Sequence, residues 1–140
     1  MFSTLQVGFA SLALAANLGT AMPQTEIAEP PSSLDLTVEE LIMKKSIEHG
    51  IDPKVPLSIA FCESTHRQFH DDGSVVRGKE NSKDVGVFQI NEKYHLEDSK
   101  KLGYDIYTME GNIDYAMHLL ESQGKKPWVW SKPCWDPKIS

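Results

Sequence analysis

The pattern of apolar and polar positions changes character twice along the chain. Val7 to Leu18 is a nearly unbroken run of apolar and small residues, VGFASLALAANL. Beyond residue 36 the apolar positions fall mostly at helical spacing. Thr37-Val38-Glu39-Glu40 has the Thr-x-x-Glu form of a capping box. Val38, Leu41, Ile42 and Ile47 follow at helical spacing, and Gly50 stops that helix after His49. Asp52 and Pro53 open a second helix, since proline is tolerated in a first turn. Its apolar run is Val55, Leu57, Ile59, Ala60 and Phe61, and it is expected to end near Ser64 or Thr65. From His66 to Lys83 the periodicity is lost, and His70-Asp71-Asp72-Gly73-Ser74 is turn chemistry, so this stretch reads as a loop or a short hairpin. Asp84 to Asn91 alternates and carries β-branched residues, which predicts a short extended segment. Tyr94 to Leu102 reads as a helix closed by Gly103. Asn112 to Ser122 reads as another, with Ile113, Ala116, Met117 and Leu120 on one stripe, Asn112 as its N-cap and Gly124 as its stop. The expected fold is compact and mainly α, with at most a short β-hairpin or extended segment.

The N-terminal run is a targeting segment before it is structure. It is too short to span a bilayer as a helix, and Gly19-Thr20-Ala21 supplies small residues at the positions a signal peptidase reads. Residues 1–21 therefore read as an export signal cleaved after Ala21, although no Lys or Arg precedes Lys44. The alternative is an uncleaved interfacial or disordered tail. Residues 22–36, which include three prolines and show no periodicity, read as a flexible linker. Residues 37–140 form the folded domain. The expected location is secreted, periplasmic or cell-surface, with no membrane association after cleavage.

Composition narrows the function. At 140 residues the chain is the size of one domain, and no Gly-x-Gly-x-x-Gly run marks a dinucleotide site. Fourteen Lys and Arg against twenty Asp and Glu give a net charge of -6, which disfavours nucleic acid as a partner. The two cysteines, Cys62 and Cys134, suggest one disulfide in an exported chain. The rival is Cys62 as a thiol nucleophile, for which no local pattern supplies a base. Glu63 and His66 have Glu-x-x-His spacing, but there is one such pair where a di-metal bundle needs two, and no Cys/His zinc framework is present. A polar loop is the default there. No metal and no cofactor are implied.

The chemistry gathers around Glu63. It closes an apolar helix, where partial burial and the negative helix end both disfavour a carboxylate. A carboxylic acid that stays protonated near neutral pH suits a general acid. The second element is Asp84 with Gly86-Val87-Phe88-Gln89-Ile90-Asn91. Gly86 permits close backbone approach to a ligand, while Gln89 and Asn91, two apart on an extended segment, share a face with donors and acceptors suited to sugar hydroxyls and acetamido groups.

Glu63-Ser64 followed about twenty residues on by Asp-x-Gly-x-x-Gln-Ile-Asn resembles the lysozyme-like superfamily of lytic transglycosylases and animal lysozymes. Leu102-Gly103-Tyr104-Asp105, Asn112-Ile113-Asp114-Tyr115-Ala116, Trp128, Trp130-Ser131 and Cys134-Trp135 follow in the order of the soluble lytic transglycosylase branch. The resemblance implies cleavage of the β-1,4 bond between N-acetylmuramic acid and N-acetylglucosamine in peptidoglycan. It implies Glu63 as the catalytic acid, Asp84 as the second carboxylate, and peptidoglycan glycan strands as the partner of a monomer. Ser64, Gln89, Asn91, Tyr115 and Trp130 are the candidate substrate-binding residues. Of Trp128, Trp130 and Trp135, at least two are expected in the core or the cleft wall, and Tyr115 either reaches the cleft or packs. A retaining hydrolase would use Glu63 and Asp84 about 5 Å apart. A lytic transglycosylase needs only the acid/base, the muramic 6-hydroxyl replacing water. The net charge favours the transglycosylase, because a bactericidal lysozyme is expected to be cationic. A wall-binding module without catalysis is the remaining alternative.

Overall fold

In the computed structural model the described residues are 35–140, with Gly19 standing alone before them. The expected signal over 1–21, apart from Gly19, and all but the last two residues of the expected linker over 22–36 lie outside the described residues. Leu36, at the end of that linker, packs against the hydrophobic core and so belongs to the domain. The described chain forms helices α1 (Val38–Glu48), α2 (Lys54–Ser64), α3 (Glu92–Lys101), α4 (Met109–Gln123) and α5 (Lys132–Ile139). A hairpin of β1 (Asp84–Val85) and β2 (Ile90–Asn91) precedes α3, and a 3-10 segment (Lys126–Ser131) leads into α5. The domain is mainly α, as the periodicity predicts.

The local signals at the first two helices act as expected. Thr37 accepts from the Glu40 amide, and the Glu40 carboxylate accepts from the Thr37 amide, completing the capping box. Helix α1 ends at His49, where Gly50 takes φ +65°. Helix α2 begins one residue after Pro53 and stops at Ser64. Leu41, Ile42, Ile59, Ala60, Ile113, Ala116 and Met117 bring α1, α2 and α4 into one core, closed on one side by Trp128 and Trp135. Lys45 of α1 reaches Asp114 of α4 at 2.9 Å across the edge of that contact.

Helix α3, helix α4 and the Asp84–Asn91 segment differ from the sequence pattern, α3 starting at Glu92, two residues before Tyr94. Helix α4 starts at Met109, not Asn112; its N-cap is Thr108, whose side chain accepts from the Gly111 amide. Asn112 lies inside the helix with no exposed surface. The stretch from His66 to Lys83 is a loop carrying two isolated bridges, Phe69 with Val75 and Arg77 with Val85. Asp84 to Asn91 is a tight antiparallel hairpin, with Asp84 opposite Asn91 and Val85 opposite Ile90. Its turn spans residues 86–89, where Gly86 has φ +73° and Gln89 has φ +49°. That turn breaks the period-two alternation, so Val87 and Phe88, adjacent in sequence, are both fully buried.

The C-terminal helix is fastened to α2 by the disulfide Cys62–Cys134, whose Cα atoms are 6.0 Å apart and whose cysteines are separated by 72 positions in sequence. The Trp135 indole donates to the Trp128 carbonyl at 2.8 Å, and the Trp128 indole donates to the Phe88 carbonyl at 2.9 Å. The bridge thus locks a segment that is also stitched to the hairpin. Among the described residues no helix is long and apolar enough to cross a membrane. Closing so long a loop stabilises by about 4 kcal/mol through the unfolded state. Urea unfolding with and without reductant should differ by about that amount; superimposable curves would mean the bridge constrains nothing.

Candidate active site

A groove crosses the face where α2, the hairpin and the 3-10 segment meet. It has two arms, of about 410 and 520 Å³, which share Glu63, Asn81, Asp84 and Gln89 as walls. Glu63 and Asp84 therefore stand at the junction, and a chain lying in one arm passes both carboxyls before entering the other.

Glu63 is the penultimate residue of α2 and is half-buried. The chain reverses directly after it: Thr65 and His66 take φ +54° and +57°, left-handed values that cost non-glycine residues of order 1 kcal/mol each. The surroundings hold that turn. The His66 ring sits between the Leu57 carbonyl at 2.9 Å and the Glu39 carboxylate at 3.0 Å. Ser64, buried, donates to the Val87 carbonyl at 2.8 Å and accepts from the Arg67 amide at 3.0 Å. Ser64 is thus a strut between α2 and the hairpin turn.

Burial pushes the Glu63 carboxyl above the ordinary range; a hydrogen bond from Ser131 opposes this, and the nearby Asp84 charge adds to it. The Ser131 hydroxyl lies 2.5 Å from Glu63 Oε1 and 3.2 Å from the Trp128 carbonyl. That geometry suits both protonation states. Ionised Glu63 accepts from Ser131; protonated Glu63 donates to the Ser131 oxygen, whose own hydrogen then turns to Trp128. Ser131 carries no sequence signal beyond its place beside Trp130, and only the tertiary fold brings it to the acid.

Asp84 is set by the hairpin. Asn91 Nδ2 donates to Asp84 Oδ1 at 2.8 Å, while Asn91 Oδ1 caps α3 by accepting from the Lys93 amide. Both the Nδ2 and the Oδ1 of Asn91 thus already have a partner, though the residue lines the smaller arm. Gln89 folds back on its own turn, Nε2 donating to the Gly86 carbonyl at 2.9 Å. Gln89 and Asn91 both face the groove, through a tight turn and not through the shared face of an extended strand.

The hairpin turn itself is held from behind by two buried amides. Gln68 accepts from the Val87 amide at 3.0 Å and donates to the Ile106 carbonyl at 3.3 Å. Asn112 accepts from the Phe88 amide at 3.0 Å and donates to the Val85 and Ile106 carbonyls at 2.9 and 2.8 Å. Both side chains press on Gly86: a Cβ there would lie 2.3 Å from Gln68 Oε1 and 2.6 Å from Asn112 Nδ2. Gly86 therefore serves close approach to these amides, not to a ligand.

The remaining candidates separate. Trp130 is 94 % exposed at the rim of the groove, whereas Trp128 and Trp135 are buried. Tyr115 is packed, not open to the groove, and its hydroxyl sits 3.1 Å from His95 Nδ1. His95 does line the groove, and burial holds its imidazole below the ordinary value, with Asp98 opposing. Tyr94, 70 % exposed on the same wall, is an aromatic that helical spacing alone does not single out. Cys62 is consumed in the disulfide, which removes the thiol-nucleophile alternative. Among the described residues no cluster of three or more His, Cys, Asp or Glu is placed to hold a metal ion. No family model, curated protein or solved structure matches the chain at a significant level.

Two outcomes follow. Gly86→Ala should destabilise by about 3 kcal/mol, combining a left-handed backbone penalty with overpacking against Gln68 and Asn112; a chemical-denaturation midpoint within error of wild type would contradict it. The raised Glu63 pKa favours the protonated fold, so this stabilisation is full below the unfolded carboxyl pKa and is lost as pH rises through the folded one. Glu63→Gln should accordingly gain thermal stability relative to wild type at pH 8 and little at pH 4, as read by calorimetry at both pH values.

Proposed function

We propose that this protein cleaves peptidoglycan glycan strands at the β-1,4 bond between N-acetylmuramic acid and N-acetylglucosamine, acting as a lytic transglycosylase. One observation carries the reading: a half-buried glutamic acid with a raised pKa stands at the midpoint of a two-armed groove, beside a second carboxylate. A groove open on both sides of its acid suits an extended polymer. The resemblance of Glu63-Ser64 and the Asp84–Asn91 segment to lytic transglycosylases supplies the substrate class.

In this mechanism protonated Glu63 gives its proton to the glycosidic oxygen as the bond to the muramic C1 breaks. The departing N-acetylglucosamine keeps the bonding electron pair, and positive charge develops on the muramic ring. The Glu63 carboxylate then takes the proton of the muramic 6-hydroxyl, whose oxygen bonds to C1. The product is a 1,6-anhydro end, no water is consumed, and Glu63 ends protonated. Ser131 steadies the carboxylate in the interval. Asp84, tied to Asn91, stabilises the developing charge through space and orders the hairpin.

A second reading, the retaining lysozyme, is favoured by the exposure of Asp84 to the same groove. There Asp84 serves as nucleophile or ion-pair partner and water completes the reaction. The disulfide fits an oxidising compartment and supports export of the chain to the cell wall.

Mass spectrometry of muropeptides released from purified peptidoglycan tests both. Wild type should yield 1,6-anhydro ends, and Glu63→Gln should lose at least about 100-fold in rate. Asp84→Asn should stay within about tenfold for the transglycosylase and fall with Glu63→Gln for the hydrolase, whose products carry reducing ends. Binding without release of any fragment would leave the wall-binding module.

A further inference from the structure

The two arms of the groove differ in charge. Apart from the shared junction, the smaller arm has no Lys, Arg, Asp or Glu among the described residues; its walls include Tyr94, His95, Trp128 and Trp130. Burial keeps the His95 imidazole below its ordinary pKa, so this arm is neutral and aromatic near pH 7. The larger arm is lined beyond the junction by Arg67, Arg77 and Lys79, with Glu80 as the one acid among the described residues there. A chain of net charge -6 has therefore gathered three of its fourteen cations along one half of one groove.

These cations are not all occupied by the fold. Arg77 is committed: it contacts Glu92 at 2.9 Å, donates to the Ser82 carbonyl at 3.1 Å and covers the Tyr107 ring. Arg67 uses only its Nε, on the Ser64 carbonyl at 3.3 Å, which leaves both Nη groups without an acceptor among the described residues. Lys79 makes no ion pair or side-chain hydrogen bond among the described residues, and both residues are exposed. Arg67 follows Glu63 by four residues, and its amide is fixed by Ser64, so its stem is anchored beside the acid.

The hydroxyls and acetamido groups of a glycan are neutral and give cations little to bind; the anions of the wall strand are the free carboxylates of its peptide stems and, where a stem has been removed, the lactyl carboxylate left on the muramic ring. Resting on the reading of Glu63 as a glycan-cleaving acid, we propose that the Arg67–Lys79 arm is an anion subsite for the carboxylates of the peptide stems that hang from the strand. The neutral arm takes sugar faces against its aromatic wall, and the cationic arm takes a muramic residue whose stem is present and carries free carboxylates. The protein is thereby selective for stem-bearing strands over strands stripped of peptide and left neutral, and it binds them in one direction through the groove.

The test compares cleavage of intact peptidoglycan with cleavage of the same glycan after amidase removal of the stems and amidation of the lactyl carboxylates that the removal exposes, which leaves the stripped strand neutral. The ratio of the two rates should fall about tenfold in Arg67→Ala/Lys79→Ala, the loss expected for charge-assisted hydrogen bonds to an anion. Lys79→Glu, at a position with no partner to lose, should move the ratio in the same direction without altering the unfolding midpoint. A ratio unchanged in both variants overturns the anion subsite while leaving Glu63 chemistry intact. Should wild type cleave neither substrate, the Glu63 reading fails and the subsite is judged by binding. Glu63→Gln should then co-sediment with intact sacculi more strongly than with stripped ones, and Lys79→Glu should remove that difference. Equal retention on both, as expected for recognition of wall phosphodiesters or of glycan alone, overturns it.

Discussion

The buried amides of Gln68 and Asn112, closed on the backbone of a four-residue turn, are the contact on which the site depends. The hairpin has only two residues in each strand, too few ladder bonds to order a turn in water. Val87 and Phe88 are nonetheless fully buried, so their amides need partners inside the protein. Gln68 and Asn112 supply them and bond the Ile106 carbonyl as well. Without a Cβ at Gly86 these amides reach the backbone. Asp84, Gln89 and Asn91 inherit their positions from that arrangement, because each lies within three residues of the fastened turn.

Glu63 arrives from the other side, and two constraints oppose each other there. Burial and the neighbouring Asp84 disfavour its ionised form, while Ser131 favours it. The carboxyl is kept in the groove by helix α2, by the left-handed reversal at Thr65 and His66, and by the disulfide one residue earlier. Ser64 joins the two halves by bonding the Val87 carbonyl. The second half of the frame is therefore coupled to the first, and a shift of the hairpin turn is felt at the acid through one side chain.

Much of the fold was legible because its signals are local. The Thr37–Glu40 capping box, Pro53 before α2, Gly50 after α1 and the stripe on α4 each act within a few residues, and each appears in the structure. Glu63 and Asp84 were legible as candidate residues, since a carboxylate at an apolar helix end and a carboxylate before a glycine turn carry their own chemistry. The support was not legible. Gln68 sits in a polar loop-like stretch, and its partners lie 19 and 38 residues away. Asn112 looks like an N-cap because asparagine favours that position, yet Thr108 takes it and the amide of Asn112 turns inward to partners up to 27 residues distant. The β-branched residues Val85, Val87 and Ile90 within Asp84–Asn91 suggested an extended segment, and only the positive φ values at Gly86 and Gln89 turn it into a hairpin. Which tryptophan stays exposed was likewise undetermined by spacing, because two of the three indole N–H groups find carbonyls only in the folded chain.

Net charge is a poor guide to such a groove. The excess of acids is a property of the whole chain, but exposed charges are screened over about 8 Å at physiological ionic strength. A ligand inside the groove therefore feels Arg67, Lys79 and Glu80 more than the remote acids. At larger separations the reverse holds, and an acidic protein gains no attraction toward an anionic wall. On the proposed reading, encounter is unassisted by long-range fields and recognition is made at contact. That division suits an enzyme that acts on strands already beside it. On the same reading, net charge bears on approach, while specificity is decided at contact by the cations proposed to serve the groove beside Glu63.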